Sequence, residues 1–339
     1  MTIPFDLFHG DGRPAPERAA QLPQPLYRRL NQSTLYLADE GLRDACNVAL
    51  LLGQPLLLTG EPGTGKSRFA NALAWEFGLG DPLVYEVKST STAQDLFYHY
   101  DALKRFQDIQ SGRRAEEAPA SQYLTINALG QAILNSLDRD DLPELLHGLA
   151  TSDRPRRSVV LLDEMDKAPR DFPNDLLTQF EDLYFRIPEL GDLRLQANPE
   201  LRPLLVITSN SERDLPDAFL RRCVYYHIPF PNQEKLAKIV DYQLQEFAAD
   251  SALVAEAIKL FLALRDSSGL SKKPATAELL LWLLTLRQLL GEAADSTGLK
   301  GAELDTVERS LSALIKRAED REVARKVARE VLAQWRNSG

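Results

Sequence analysis

The 339-residue chain has room for about two domains at roughly 150 residues each, and its 44% hydrophobic and 26% charged residues are those of a folded, water-soluble protein rather than a disordered or fibrous one. Lys and Arg number 40 against 49 Asp and Glu, a net charge of -9 that disfavours nucleic acid as a partner. Only Cys46 and Cys223 occur, too few for a disulfide framework, and with neither a signal pattern nor an apolar run of ~20 residues the expectation is a cytoplasmic protein without a membrane span.

Residues 1–25 carry Pro4, Pro14, Pro16, Pro23 and Pro25 and read as an extended arm, on which Phe5, Leu7 and Phe8 are candidates for docking on a neighbour. From residue 26 to 53 the pattern is helical, with Leu35, Leu42, Cys46, Ala49 and Leu50 able to share a face, and it leads into a short apolar strand ending at Thr59. Strand-like runs recur at 83–87, 158–162 and 204–207, each ending in polar or glycine-rich residues. That alternation predicts an α/β fold with a doubly wound parallel sheet, whose ligands sit at the carboxyl ends of the strands. A helix is expected over 175–184, a hairpin around Gly191-Asp192, and a further strand over 224–228. After Pro231 helical periodicity takes over, with Leu279, Leu280, Leu283 and Leu284 and then Leu311, Leu314, Ile315 and Ala318. The predicted organisation is an arm at 1–25, an α/β domain at 26–231 and an all-helical domain at 232–339. Residues 321–336 read as a solvated amphipathic helix with Val323, Val327 and Val331 on one stripe.

Between the first strand and the next helix stands Gly60-Glu61-Pro62-Gly63-Thr64-Gly65-Lys66-Ser67, a complete GxxxxGKS phosphate loop. Glycines let backbone N–H groups turn around the phosphates, the helix presents its positive end, Lys66 reaches the β- and γ-phosphates, and Ser67 is a Mg²⁺ ligand. The strand at 158–162 ends in Asp163 and Glu164. Adjacent acids there divide the labour: Asp163 holds the Mg²⁺ shell, from the second sphere or directly, and Glu164 polarises the attacking water. Asp166 is a lesser candidate, with a simple cap as the alternative. Asn210, after the strand at 204–207, is the candidate water-positioning or γ-phosphate-sensing amide. Arg221 and Arg222 end a short helix after Pro216, where a guanidinium can reach a neighbouring subunit's γ-phosphate.

This ordered set resembles the AAA+ ATPases, and within them the MoxR family of the group with an insertion in the second helix. The resemblance implies a P-loop AAA+ module followed by a helical lid, with ATP and Mg²⁺ as cofactors. It implies Asn210 as first sensor, Arg222 as arginine finger with Arg221 as contender, and a homo-oligomeric ring, usually hexameric. The second sensor is expected in the segment 269–278, where Lys273, with Lys272 as alternative, stands in place of the usual arginine and binds phosphate as a point charge. The insertion, about 89–130, resembles hairpins placed over a ring's pore. There Phe97, Tyr98 and Tyr100 either grip a polypeptide or belong to a local core. The implied activity is ATP hydrolysis that remodels or activates a protein client, the family suggesting one with a von Willebrand factor A domain. The competing readings are a DNA-associated AAA+ motor, a restriction-type GTPase and a nucleotide-gated scaffold.

Overall fold

The computed structural model describes residues 36–111, 120–151, 154–248 and 250–337. The proline-rich arm and Leu35 lie outside them. The chain divides into two compact units, Ala38–Pro229 and the segment from Phe230 onward.

In the first unit, α1 (Glu40–Leu52) opens at Asp39, whose carboxylate accepts a hydrogen bond from the Leu42 amide at 2.8 Å. The helix closes at Gly53 in the left-handed region. Leu42, Cys46 and Ala49 are its buried face and Leu50 is half-buried. Nine strands occur among the described residues: β1 (Leu56–Thr59), β2 (Leu83–Glu86), β3 (Tyr98–Tyr100), β4 (Leu124–Ile126), β5 (Val159–Asp163), β6 (Tyr184–Ile187), β7 (Leu193–Gln196), β8 (Leu204–Ser209) and β9 (Val224–His227). Five of them form one parallel sheet in the order β2-β5-β8-β1-β9. The inner strands are continuous apolar runs because both of their faces are covered, as a parallel sheet requires. From β1 the chain crosses to the far edge at β2, returns through β5 and β8, and adds β9 on the other side of β1. The carboxyl ends of β1, β8 and β5 therefore lie side by side.

The connecting helices are α2 (Lys66–Glu76), α3 (Ala102–Gln110), α4 (Ala128–Asn135), α5 (Phe172–Asp175), α6 (Leu177–Asp182) and α7 (Asp217–Leu220). Leu57, Val160, Leu162 and Ile207 on one face of the sheet share a core with Leu129, Ile133, Phe172, Phe180 and Phe219. Within the 89–130 region, β3 and β4 form an antiparallel hairpin with Tyr98 opposite Ile126. Two of its three aromatic residues belong to the core: Phe97 and Tyr98 are each 2% exposed, and Phe97 stacks on Phe185 with centroids 5.2 Å apart, whereas Tyr100 is half-buried. Gly130 lets α4 press against this hairpin, since a Cβ there would stand 2.1 Å from the Phe97 carbonyl oxygen. The helix expected over 175–184 is shorter and broken. It runs as α5 and α6, stops at Leu183 with φ 44 in the left-handed region, and Tyr184 already begins β6. The hairpin β6–β7 turns through Gly191 and Asp192, both at positive φ.

The second unit holds α8 (Gln233–Gln243), α9 (Ala252–Asp266), α10 (Thr276–Leu290), α11 (Ala294–Thr297), α12 (Leu304–Ser310) and α13 (Asp320–Asn337). Trp282 is fully buried at its centre, and its indole N–H donates to Ser310 Oγ at 2.8 Å. Leu311, Leu314 and Ile315 are buried but Ala318 is exposed, because α12 ends at Ser310 and these residues follow as a 3₁₀ turn and loop rather than as a helical face. The reason is local: Ser310, hooked to Trp282, also donates back to the Val307 carbonyl at 2.6 Å. In α13 the buried stripe is Ala324, Ala328 and Leu332, with Val323, Val327 and Val331 half-buried beside it. The alanines win the seam because their small side chains let the helix approach the core closely.

Candidate nucleotide site at the carboxyl ends of the strands

The segment from Gly60 to Ser67 leaves β1 and enters α2. Gly60, Gly63 and Gly65 have φ of 145, 78 and 94, values that L side chains rarely adopt. At Gly60 the space is closed as well, for a Cβ would meet the Ile228 carbonyl oxygen at 2.6 Å. Thr64 donates through its hydroxyl to the Glu61 carbonyl at 2.9 Å, tightening the loop around Pro62 and Gly63. Lys66 is 6% exposed and its ammonium donates to the carbonyls of Gly60 (2.8 Å) and Glu61 (3.0 Å). Burial holds that ammonium below the ordinary lysine range, while the charges of Asp163, Asp166, Glu164 and Glu61 pull the other way.

The structure brings Ser67 and Asp163 together across the site: the Ser67 hydroxyl lies 2.8 and 3.0 Å from the two Asp163 carboxylate oxygens. A hydroxyl and a carboxylate at that separation are the hard oxygen donors that Mg²⁺ prefers, so the residues present fit the cation that a triphosphate brings with it. Glu164 follows with φ 61, and its carboxylate pairs with Lys167. That pairing raises the Lys167 ammonium above the ordinary lysine range.

Thr208, the residue that sequence reasoning passed over, joins the ends of β5 and β8. Its hydroxyl donates to Asp163 and accepts from the Glu164 amide at 3.0 Å. The signal available was its place in a run of small polar residues closing a buried strand. Asp166 does not cap its own turn. It is 4% exposed, and its carboxylate accepts from the backbone amides of Asn210 (3.0 Å) and Glu212 (3.4 Å). Asn210 thus lies beside the Glu164 turn. A groove of about 540 Å³ opens here, lined by Met165, Asp166, Arg170, Arg213 and Leu215 among others. A smaller cavity of about 280 Å³ lies at the opposite ends of the strands, against Cys46, Leu52 and Leu204, away from the phosphate loop.

Arg222 does not stand free. Its Nε donates to Glu181 of α6 at 2.6 Å and its Nη1 to the Ala218 carbonyl at 3.1 Å, while Arg221 beside it is exposed. Lys272 and Lys273 belong to the second unit, exposed on the loop before α10. That loop is fixed from two sides: Asp320 accepts from the amides of Ser271 (2.8 Å) and Lys272 (3.1 Å), and buried Arg265 donates to the Pro274 carbonyl. No helix among the described residues is long and apolar enough to cross a membrane.

Among curated proteins no match to the chain is found. Residues 55–223 match the family model described as an AAA domain of the dynein-related subfamily, and with the parallel five-stranded sheet, the phosphate loop and the helical unit that follows the chain carries the AAA domain of the AAA+ ATPases.

Proposed function

We propose that this AAA+ ATPase domain, 26–231 with its insertion at about 89–130, acts with the helical lid 232–339 as a MoxR-like ATPase. ATP is bound and hydrolysed to ADP and phosphate at the subunit interfaces of a homo-oligomeric ring, hexameric as in related rings, in the cytoplasm. The motion remodels or activates a protein client, for which a von Willebrand factor A domain is the candidate. The observation that carries the nucleotide assignment is the meeting of Ser67 and Asp163 beside buried Lys66. In this reading Gly60 through Gly65 wrap the phosphates with backbone amides and Lys66 neutralises them. Ser67 and Asp163 hold the Mg²⁺, which when bound neutralises charge on the β- and γ-oxygens. Glu164 accepts the proton of the attacking water, and Asn210 orients it. Arg222, or its exposed neighbour Arg221, stabilises the transferred phosphoryl of the adjacent subunit, and Lys273 or Lys272 closes the lid on the nucleotide. Phosphate release from ATP and GTP across a protein concentration series, with mass followed by light scattering, tests the reading. ATP turnover rising as a ring forms is the expected result; a tightly binding monomer without turnover overturns the ring mechanism, and equal turnover of GTP overturns the choice of base.

A further inference from the structure

Burying a carboxylate is unfavourable unless its oxygens are satisfied, so the partners of Asp166 reveal what its burial accomplishes. It lies in the 3₁₀ turn Met165–Lys167, entered through Glu164 at φ 61. A cap would accept from the amides of its own turn. Instead its two oxygens reach the outgoing end of β8, one to the Asn210 amide at 3.0 Å and the other to the Glu212 amide at 3.4 Å. Between those amides Ser211 sits at φ 59, a left-handed conformation for a residue with a side chain. That backbone turn lets two amides one residue apart converge on one carboxylate. Thr208 makes the return connection, accepting from the Glu164 amide and donating to Asp163. The turn after β5 and the loop after β8 are thus laced together in both directions.

We propose that Asp166 is a positioning residue for ATP hydrolysis: it sets Asn210 against Glu164, so that the water-orienting amide and the proton acceptor form one rigid constellation rather than two independent loops. The inference rests on the reading of Glu164 and Asn210 as catalytic. The hydrogen bonds of Asp166 go to the loop after β8 and none goes to the segment 60–67. Removing Asp166 leaves the hydrogen bonds of the phosphate loop in place, takes one negative charge from the surroundings of Lys66 and loosens the placement of Asn210, and a misplacement on the order of 1 Å in such a constellation costs on the order of 10²-fold in rate.

The test uses the full chain with Asp166→Ala, Asp166→Asn and Glu164→Gln compared side by side. Steady-state turnover, affinity for a fluorescent ATP analogue and hydrogen exchange of the 208–213 amides are measured for each. Asp166→Ala is expected to lower kcat on the order of 10²-fold with nucleotide affinity no weaker than that of the wild type, since the charge lost is a negative one near Lys66, and to speed exchange at Asn210 and Glu212. Asp166→Asn keeps an acceptor for the Asn210 amide but turns a donor toward Glu212, so it recovers part of the rate; being isosteric, it also serves where the alanine variant fails to fold. Wild-type turnover in Asp166→Ala beside an inactive Glu164→Gln overturns the proposal, as does a parallel loss of affinity and rate. If Glu164→Gln itself turns over normally, the reading of the site has failed instead, and unchanged exchange at Asn210 and Glu212 is then the result that rejects Asp166 as their anchor.

Discussion

At the phosphate loop, the ammonium of Lys66 is buried against two carbonyls of its own loop, which are weaker partners than the phosphate oxygens of the proposed nucleotide. Lys66→Ala is therefore expected to abolish ATP binding, read as loss of the fluorescence change on titrating a labelled nucleotide; an unchanged affinity refutes the assignment. Glu164 directly follows Asp163 and is paired with Lys167. Glu164→Gln keeps its shape but cannot accept a proton, so ATP should remain bound while phosphate release stops. A third expectation concerns the thiols. Burial, helped by the charge of Glu76, pushes Cys46 up to about 11, and burial pushes Cys223 up to about 12. The reactive form of cysteine is the thiolate, so both should resist alkylation of the folded protein at neutral pH and react once it is denatured.

Among the elements, α3 is built the wrong way round for a globular surface. Leu103, Phe106 and Ile109 are 66, 56 and 44% exposed, while Arg105 donates to the Tyr100 hydroxyl at 2.7 Å and Asp108 accepts from that of Tyr123. Its apolar stripe therefore contributes little to folding. Phe106→Asp should shift the unfolding free energy by no more than about 0.5 kcal/mol, whereas Leu129→Ala in α4, at 0% exposure, should cost about 2–5 kcal/mol. Denaturant midpoints of the two variants decide it. The loop bearing Lys272 and Lys273 makes a pH-dependent expectation. Hydrogen bonds from the Ser271 and Lys272 backbone and the Ser271 hydroxyl, with the Arg317 charge, hold the Asp320 carboxyl below the ordinary aspartate range. A carboxyl lowered on folding stabilises the folded state above its unfolded value near 3.9 and loses that contribution as pH falls through the folded value. Asp320→Asn should thus lower the melting temperature at neutral pH and narrow its gap to wild type in strong acid.

Over the whole molecule, each part was legible to the degree that it is made locally. The phosphate loop, the acid pair and the apolar parallel strands are each contiguous in sequence, and each is legible there. What escaped depended on distant contacts. Thr208 gains its place only when β8 pairs with β5, 45 residues away. The destination of Asp166 is a loop 44 residues on. The periodicity that put Val323, Val327 and Val331 on one stripe could not decide which neighbouring stripe would meet the core. The assignment of the finger is likewise a matter for assembled subunits. Arg222→Ala subunits mixed with Lys66→Ala subunits should recover part of the turnover that each lacks alone, and the same mixture made with Arg221→Ala identifies which guanidinium crosses the interface. No recovery at any ratio would confine both arginines to their own subunit.

The seat of Gly60 against β9 has a mechanical side. The Ile228 amide donates to the Thr59 carbonyl at 2.8 Å, its own carbonyl closes the space over Gly60, and the helical unit begins at Phe230. The residue that follows β9 on the way out of the α/β unit is therefore also a wall of the phosphate loop. A displacement of the Ile228 backbone changes the room left to the first glycine of the loop directly, with no relay of side chains in between.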